Sequence, residues 1–181
     1  TQIAQYFLQW GVVGQISFYA SAAEIAAISL SMRMVMLINL ILILVNTVNG
    51  NRISQYLQTG QQVALRKLLR QQSPILIGVG TIAAIALGLA APYVYGLLET
   101  GFEIAVPVTF VLILGQLVNV FVGPANLMLN MSGHARITSR ITIFVGLPVT
   151  ALVWPFYQFG GALGAALLIS LSLISVSLIA A

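Results

Sequence analysis

Five residues between Gly115 and Asn130 have a spacing that places them on one stripe of an α-helix. They are Gln116, Asn119, Gly123, Asn126 and Asn130, separated by three, four, three and four positions. Amide side chains both donate and accept hydrogen bonds, which suits hydroxyl-rich ligands such as sugars. In an apolar segment, such a stripe either bonds to neighbouring helices or lines a water-filled cavity. Five stripe positions in one segment favour the cavity.

Pro124 lies within this stripe. Its ring removes a backbone hydrogen bond to the carbonyl of Val120 and predicts a kink in the helix. The neighbouring Gly123 loosens the helix further. A kinked helix with a polar face is a candidate for a moving part of the protein.

Glutamines near the start of the chain have a similar pattern. Gln2, Gln5 and Gln9 are spaced by three and four positions, and Trp10 follows them directly, so the three amides share a helix face. If both stripes face inward, they line one polar interior. The alternative is that Gln2 and Gln5 lie at the membrane interface and remain in contact with water.

Arg33 is the charged residue that lies deepest within a predicted span. It follows Glu24 by nine residues, about 13 Å along a helix and half a turn around it, so Glu24 is not a partner on the same face. A charge at this depth is costly unless it is paired or hydrated. Arg33 is therefore a candidate clamp for phosphate or pyrophosphate. The alternatives are snorkelling to the outer surface and bonding to backbone carbonyls. Asn39 and Asn46 lie on another face of the same helix.

The sequence offers little material for catalysis or metal binding. It contains no cysteine, one histidine and three acidic residues, which excludes disulfides and thiolate metal sites. It has no Ser–His–Asp set, no HExxH motif and no pair of acids within one span. A loop or capping role is favoured over catalysis for His134, which follows Gly133. We therefore expect no enzyme activity, no cofactor and no metal.

Composition indicates a multi-span membrane protein. Of the 181 residues, 60% are hydrophobic and 6% are charged, whereas about a quarter of the residues of soluble domains are charged. Several apolar runs reach the ~20 residues needed to cross a bilayer. We predict an all-α, polytopic, six-helix transmembrane bundle that forms one domain over residues 1–181. The predicted spans are at about 2–19, 26–48, 74–98, 105–131, 141–157 and 162–181.

The charged residues predict the topology of the bundle. The net charge is +4. We interpret it as a sign of orientation in the membrane rather than of nucleic-acid binding, because Lys and Arg collect in cytoplasmic loops. Connections that carry Arg52, Arg66, Lys67, Arg70, Arg136 and Arg140 alternate with connections that carry Glu24, Glu99 and Glu103. We predict that the basic loops are cytoplasmic, that the acidic turns are external and that both ends of the chain lie on the cytoplasmic side.

The segment over residues 51–72 is polar, basic and amphipathic. Thr59 and Gln62 fit a capping box that would begin a short helix. One face of this helix carries Leu65, Leu68 and Leu69, and another carries Arg66, Lys67 and Arg70. We predict an interfacial helix on the cytoplasmic membrane surface, attracted to anionic lipids. Its role is either a topology anchor, which we favour, or the binding of a substrate headgroup.

The predicted sixth span begins with small residues. Gly160 and Gly164 form a GxxxG motif that Ala165 extends, and small residues allow helices to approach closely in lipid. Packing within the chain is favoured over dimerisation. Because the chain starts at Thr1 and ends on an apolar segment, we expect it to be one lobe of a longer protein.

Three stretches resemble a known family. They are "YASAAEIAAISLSMRM", "LVNTVNGNRISQYLQTG" and "LILGQLVNVFVGPANLMLNMSGHAR", and they are similar to the second lobe of bacterial polysaccharide flippases. These are the polyprenyl-linked oligosaccharide exporters of the multidrug/oligosaccharidyl-lipid/polysaccharide exporter superfamily. The resemblance extends over nearly the whole chain, and the third stretch is its most specific part.

The resemblance implies a two-lobed transporter of about 12 to 14 helices in the bacterial inner membrane, working by alternating access around a hydrophilic cavity. This chain would be the C-terminal lobe, and the N-terminal lobe would be its partner. The substrate would be an oligosaccharide on a polyprenyl pyrophosphate for polysaccharide or lipopolysaccharide synthesis. Membrane lipids and other polysaccharide-assembly proteins are further expected partners. The expected substrate-binding residues are Arg33, Gln116, Asn119, Asn126, Asn130, Gln5 and Gln9.

The sequence also departs from the family pattern. Gln61 stands where family members often have an acid, and no acid lies within a predicted span, which leaves coupling to protons or sodium without a candidate residue in this lobe. A drug/cation antiporter of the same superfamily is one alternative, but it would need such an acid. A membrane scaffold for polysaccharide assembly is another. A membrane glycosyltransferase is disfavoured because candidate acids are lacking.

Overall fold

The computed structural model describes residues 10–98, 102–129 and 135–179, without the side chains at positions 42, 46 and 123–139. Every regular element in these ranges is an α-helix. Helix α1 includes residues 10–16, and it is followed by α2 (Ala22–Gln58), α3 (Gln62–Gly96), α4 (Ala105–Leu129) and α5 (Ala135–Ile179). The prediction of an all-α fold is confirmed for this part of the chain.

Helices α2 to α5 each contain a stretch long and apolar enough to cross a membrane. The predicted six-helix bundle is not confirmed, because the described residues form five helices. The predicted fifth and sixth spans both lie in α5, whose backbone leaves the helical conformation at Gly161 (φ 55°, ψ −137°). Glycine adopts a positive φ without the steric penalty of a Cβ atom, so α5 can change direction there.

The two halves of α5 fold back on each other at this break. Gly164 lies against the backbone carbonyl of Phe156, although residues eight positions apart in a straight helix are separated by about 12 Å. A side chain at position 164 would overlap that carbonyl. The GxxxG motif predicted from the sequence therefore contributes to packing within the chain through Gly164, whereas Gly160 faces open space.

Helix α4 packs against α2, α3 and α5. Lipid tails are as apolar as the helices, so close packing and hydrogen bonds, rather than apolar burial, hold such helices together. Glycines allow this approach, and Gly80 of α3 lies directly against Val120 of α4. The main buried cluster draws residues from α1, α2, α4 and α5, including Val12, Val13, Ile16, Ile28, Ile38, Val108, Val153 and Ile169.

Three buried hydroxyl groups join α2, α3 and α4. Ser31 Oγ lies 3.1 Å from Tyr95 Oη, Tyr95 Oη lies 2.7 Å from Thr109 Oγ1, and Thr109 Oγ1 lies 2.9 Å from Ser31 Oγ. Ser31 and Thr109 also bond to the backbone carbonyl of Ala105. Unpaired hydroxyl groups are costly to bury, so this hydroxyl cluster fixes the three helices relative to one another.

The turn between α2 and α3 differs from the prediction. Helix α2 continues past Val48 to Gln58, and α3 begins at Gln62. Thr59 does not cap α3, because its hydroxyl donates to the carbonyl of Gln55 at the end of α2. Gln61 is the N-cap residue and makes no capping bond with its side chain. The predicted capping box is therefore wrong.

The apolar face predicted for segment 51–72 packs within the protein. Leu65 is buried against Ile53 of α2, with Leu68 and Leu69 beside them. The segment therefore forms the adjoining ends of α2 and α3 and is not a separate helix, whereas its position at the cytoplasmic membrane surface stays a prediction. Helix α3 continues through Pro74, where neighbouring structure can compensate for the hydrogen bond that a proline removes.

The start of α2 is bonded to the region of the break in α5. Ser21 and Glu24 form a capping box, in which the Ser21 N–H donates to Glu24 Oε2 at 3.0 Å and the Glu24 N–H donates to Ser21 Oγ at 3.3 Å. The hydroxyl of Tyr157 donates to the same Glu24 Oε2 at 3.0 Å. Glu24 therefore links the first turn of α2 to α5, four residues before Gly161.

We predict that Gly115→Ala destabilises the packing of α4 on α5. A Cβ at position 115 would lie 3.0 Å from Ser170 Cα and 2.9 Å from Ser170 Oγ. Overpacking of this kind costs about 1–3 kcal/mol. Gly78→Ala is the matched control, because nothing lies within 4 Å of the added Cβ. Denaturant unfolding in detergent should show a loss for Gly115→Ala only, and equal stabilities would contradict the packing assigned to Gly115.

Candidate functional site

A cleft lies between α1, α2, α4 and α5. It encloses about 480 Å³ of space, including its open mouth. Its lining residues are Trp10, Met32, Arg33, Val35, Met36, Asn39, Leu112, Gln116, Ile169 and Leu173. Most of this lining is apolar, with a few polar groups among it, which is the usual composition of a ligand site. The cleft therefore brings together residues from four helices that are distant in the sequence.

Arg33 supplies the only charge among the residues that line the cleft. It lies eleven residues after Ala22, the first residue of α2, or about 17 Å along the helix. Its side chain is exposed, and it forms no ion pair or hydrogen bond with the residues that the structure describes. The guanidinium group is therefore available to an anionic ligand.

Two neutral donors accompany Arg33 in the cleft. Trp10 is 42% exposed, and its indole N–H can only donate. Asn39, six residues or about 1.7 turns further along α2 than Arg33, is half-buried and can donate or accept. The apolar lining near them includes Met32 and Met36, whose flexible side chains adapt to irregular shapes.

Gln116 and Asn119 are the two amides of the predicted stripe whose side chains the structure describes. Gln116 lines the cleft and is 7% exposed. Asn119 does not line the cleft, and its Oδ1 accepts a hydrogen bond of 3.1 Å from the hydroxyl of Ser177 on α5. Asn119 Nδ2 in turn donates to Gln116 Oε1 at 3.2 Å. The stripe therefore combines both roles considered from the sequence, because Gln116 faces the cleft and Asn119 bonds to a neighbouring helix.

Several predicted site residues lie outside the described residues. The side chain of Asn126 belongs to this group, as do Asn130, Gln2, Gln5 and Gln9. The side chain of Asn46 is likewise not described. For these residues, the predicted contribution to the site stays a prediction.

Ser177 is the polar partner that sequence reasoning missed. The spacing of residues along one helix does not show which neighbouring helix a side chain meets. A signal was nevertheless present, since Ser170 and Ser177 are seven residues apart on α5 and so share a face. That face packs on α4, where Ser170 donates to the carbonyl of Val111 at 2.9 Å.

The lining of the cleft offers hydrogen-bond donors for binding a ligand. Arg33, Trp10 and the Gln116 amide offer hydrogen-bond donors, while the lining includes no carboxylate, hydroxyl, thiol or imidazole group. No group of three or more metal-binding side chains occurs within the described ranges. The arrangement can hold an anionic group rich in hydrogen-bond acceptors, such as a phosphate.

Comparison with known proteins gives no match to a family model, a curated protein or a solved structure.

Proposed function

We propose that this chain is one lobe of a lipid-linked oligosaccharide flippase in the bacterial inner membrane. The observation that carries the proposal is the position of Arg33, which lies well inside a membrane-length helix and opens into a cleft without an ion-pair partner among the described residues. An unpaired cation at such depth is costly and is usually retained for function. The family resemblance described above supports the same class of transporter.

In this proposal, the Arg33 guanidinium binds the pyrophosphate of the substrate. Arg33 can form two parallel hydrogen bonds to phosphate oxygens. The amides of Gln116 and Asn39 contribute neutral hydrogen bonds beside it, while the polyprenyl tail remains in the bilayer. A second, N-terminal lobe closes the other side of the cavity, and rocking of the two lobes exposes it to each side of the membrane in turn.

Transport of an anionic glycolipid is favoured over the alternatives by the chemistry of the lining. A drug/cation antiporter would need an acid to bind its cation, and the cleft-lining residues include none. A glycosyltransferase would need a general base, for which the lining offers no carboxylate or imidazole. A scaffold for polysaccharide assembly would not need a cation without an ion-pair partner among the described residues at this depth in a membrane-length helix.

The direct test is translocation in vesicles that contain the complete two-lobed protein of which this chain is proposed to be one lobe. A fluorescent short-chain polyprenyl pyrophosphate carrying an oligosaccharide is placed in both leaflets, and a membrane-impermeant quencher reports the fraction in the outer leaflet. We expect the protein to move this lipid between leaflets, and to move a neutral polyprenyl glycoside with the same sugar at least about ten-fold more slowly, because a hydrogen-bonded phosphate is lost. Absence of movement for both lipids, with correctly folded protein, would support the scaffold instead.

The described charges predict a specific orientation in the membrane. Glu24 and Glu103 lie at the end of the bundle where α2 and α4 begin, whereas Arg52, Arg66, Lys67, Arg70 and Arg140 lie at the opposite end. Positive residues remain on the cytoplasmic side. The chain has no cysteine, so Lys67→Cys and Glu103→Cys each introduce one unique thiol. An impermeant maleimide added to intact cells should label position 103 and not position 67, and labelling of both or the reverse pattern would contradict the orientation.

A further inference from the structure

A chain of three side chains leads from Ser177, in the last described turn of α5, to the cleft. The Ser177 hydroxyl donates to Asn119 Oδ1 at 3.1 Å, and Asn119 Nδ2 donates to Gln116 Oε1 at 3.2 Å. Ser177 is 1% exposed and Gln116 is 7% exposed. Each donor in this amide relay, defined as Ser177, Asn119 and Gln116, points toward the cleft, so the relay has a direction.

The direction of the relay decides what Gln116 offers to a ligand. Its Oε1 is bonded to Asn119, whereas its Nε2 has no hydrogen-bond partner among the described residues. Because Gln116 lines the cleft, this buried amide is left with two N–H donors to satisfy. A ligand group that accepts hydrogen bonds would satisfy them.

The buried hydroxyl of Ser177 prevents the relay from reversing. If both amides were flipped, Asn119 Nδ2 would donate to Ser177 Oγ and Gln116 Oε1 would face the cleft. The proton of the Ser177 hydroxyl would then lack an acceptor, since this hydroxyl makes no second hydrogen bond within the described part of the chain. Because a buried donor without an acceptor is costly, the observed arrangement is favoured over the flipped arrangement by roughly ten-fold or more.

We propose that Ser177 and Asn119 are positioning residues that hold the Gln116 amide with its N–H groups toward the cleft. The cleft then presents donors from Gln116 and Arg33 to the same ligand and selects groups that carry only acceptors, such as ionised phosphate oxygens. This inference deepens the proposed function and rests on it. It assigns a role in ligand selection to two residues that do not line the cleft.

The test compares two buried serines of α5. Ser177→Ala breaks the relay, whereas Ser172→Ala is the matched control, because Ser172 is 2% exposed and, among the described residues, bonds only to the carbonyl of Ile169 in its own helix. Binding of inorganic pyrophosphate to the purified protein in detergent is measured by calorimetry. We expect Ser177→Ala to weaken binding by about two-fold, because the arrangement with the Gln116 N–H groups toward the cleft falls from nearly all to about half of the molecules, and Asn119→Leu to weaken it by at least as much. Ser172→Ala should leave the affinity unchanged within the precision of the measurement.

A double-mutant cycle separates positioning from general damage. If Ser177 acts through Gln116, then Ser177→Ala should have no further effect on pyrophosphate binding in a Gln116→Ala background. An additive loss in that background would overturn the relay, as would equal affinities of the Ser177→Ala and Ser172→Ala proteins. Failure of the unaltered protein to bind inorganic pyrophosphate would instead overturn the proposed function, and the relay with it.

Discussion

Replacing Arg33 with alanine is expected to reduce translocation of the polyprenyl-pyrophosphate glycan by at least about ten-fold, because a charge-assisted, two-pronged contact with the phosphate is lost. Protein levels in the membrane should remain near normal, since Arg33 is exposed and has no hydrogen-bond partner among the described residues. Arg33→Lys should retain part of the activity, because the charge survives while the planar geometry does not.

The matched control for Arg33 is Arg66→Ala. Arg66 is also exposed on a helix, but it lies at the basic end of α3 and does not line the cleft. Translocation by this variant should stay within about two-fold of the unaltered protein, as expected for a surface charge. Normal translocation by Arg33→Ala would show that Arg33 anchors the helix instead of binding substrate, as would equal losses in the Arg33→Ala and Arg66→Ala proteins.

Replacing Gly164 with alanine is expected to have the largest effect on folding. The added Cβ would overlap the backbone carbonyl oxygen of Phe156, and a backbone atom cannot turn aside as a flexible side chain can. The two halves of α5 would have to separate at Gly161, where they fold back on each other. We expect a loss of at least about 3 kcal/mol, at the upper end of overpacking effects, and strongly reduced accumulation in the membrane.

Gly160→Ala is the control for this substitution. Gly160 belongs to the same GxxxG motif, but no atom lies within 4 Å of a Cβ added there. Thermal unfolding in detergent should therefore place the Gly160→Ala protein close to the unaltered one. Similar stability of the Gly160→Ala and Gly164→Ala proteins would mean that the tight turn is absent, and a change in oligomeric state for both would support the dimerisation alternative.

The sequence predicts the all-α fold and the position of Arg33 within a membrane-length helix, because both depend on local properties of the sequence. Apolar runs of bilayer length predict helices in any context, and Arg33 is conspicuous within one of them. Its neighbour in the cleft, Gln116, was also a candidate because of its position on the polar stripe. Both lie in the cleft, although their binding of substrate remains a proposal.

The features that the sequence did not predict depend on contacts between helices. The bond between Asn119 and Ser177 requires the relative rotation of α4 and α5, which the spacing along either helix does not contain. The predicted cap at Thr59 was wrong because a threonine can lie either at the end of one helix or at the start of the next. Helix α2 continues to Gln58, so Thr59 lies at the end of α2 and bonds to Gln55. The continuity of α3 through Pro74 depends on packing that local rules do not include.

The hydroxyl cluster of Ser31, Tyr95 and Thr109 also determines the direction in which the Arg33 side chain leaves α2. Ser31 precedes Arg33 by two residues on α2, so the two side chains leave the helix about 200° apart. Rotating α2 about its long axis would pull Ser31 away from Tyr95 and Thr109 and leave buried hydroxyl groups unpaired. The three hydroxyl groups do not line the cleft. By fixing the rotation of α2 about its axis, they nevertheless determine the direction in which the Arg33 side chain points.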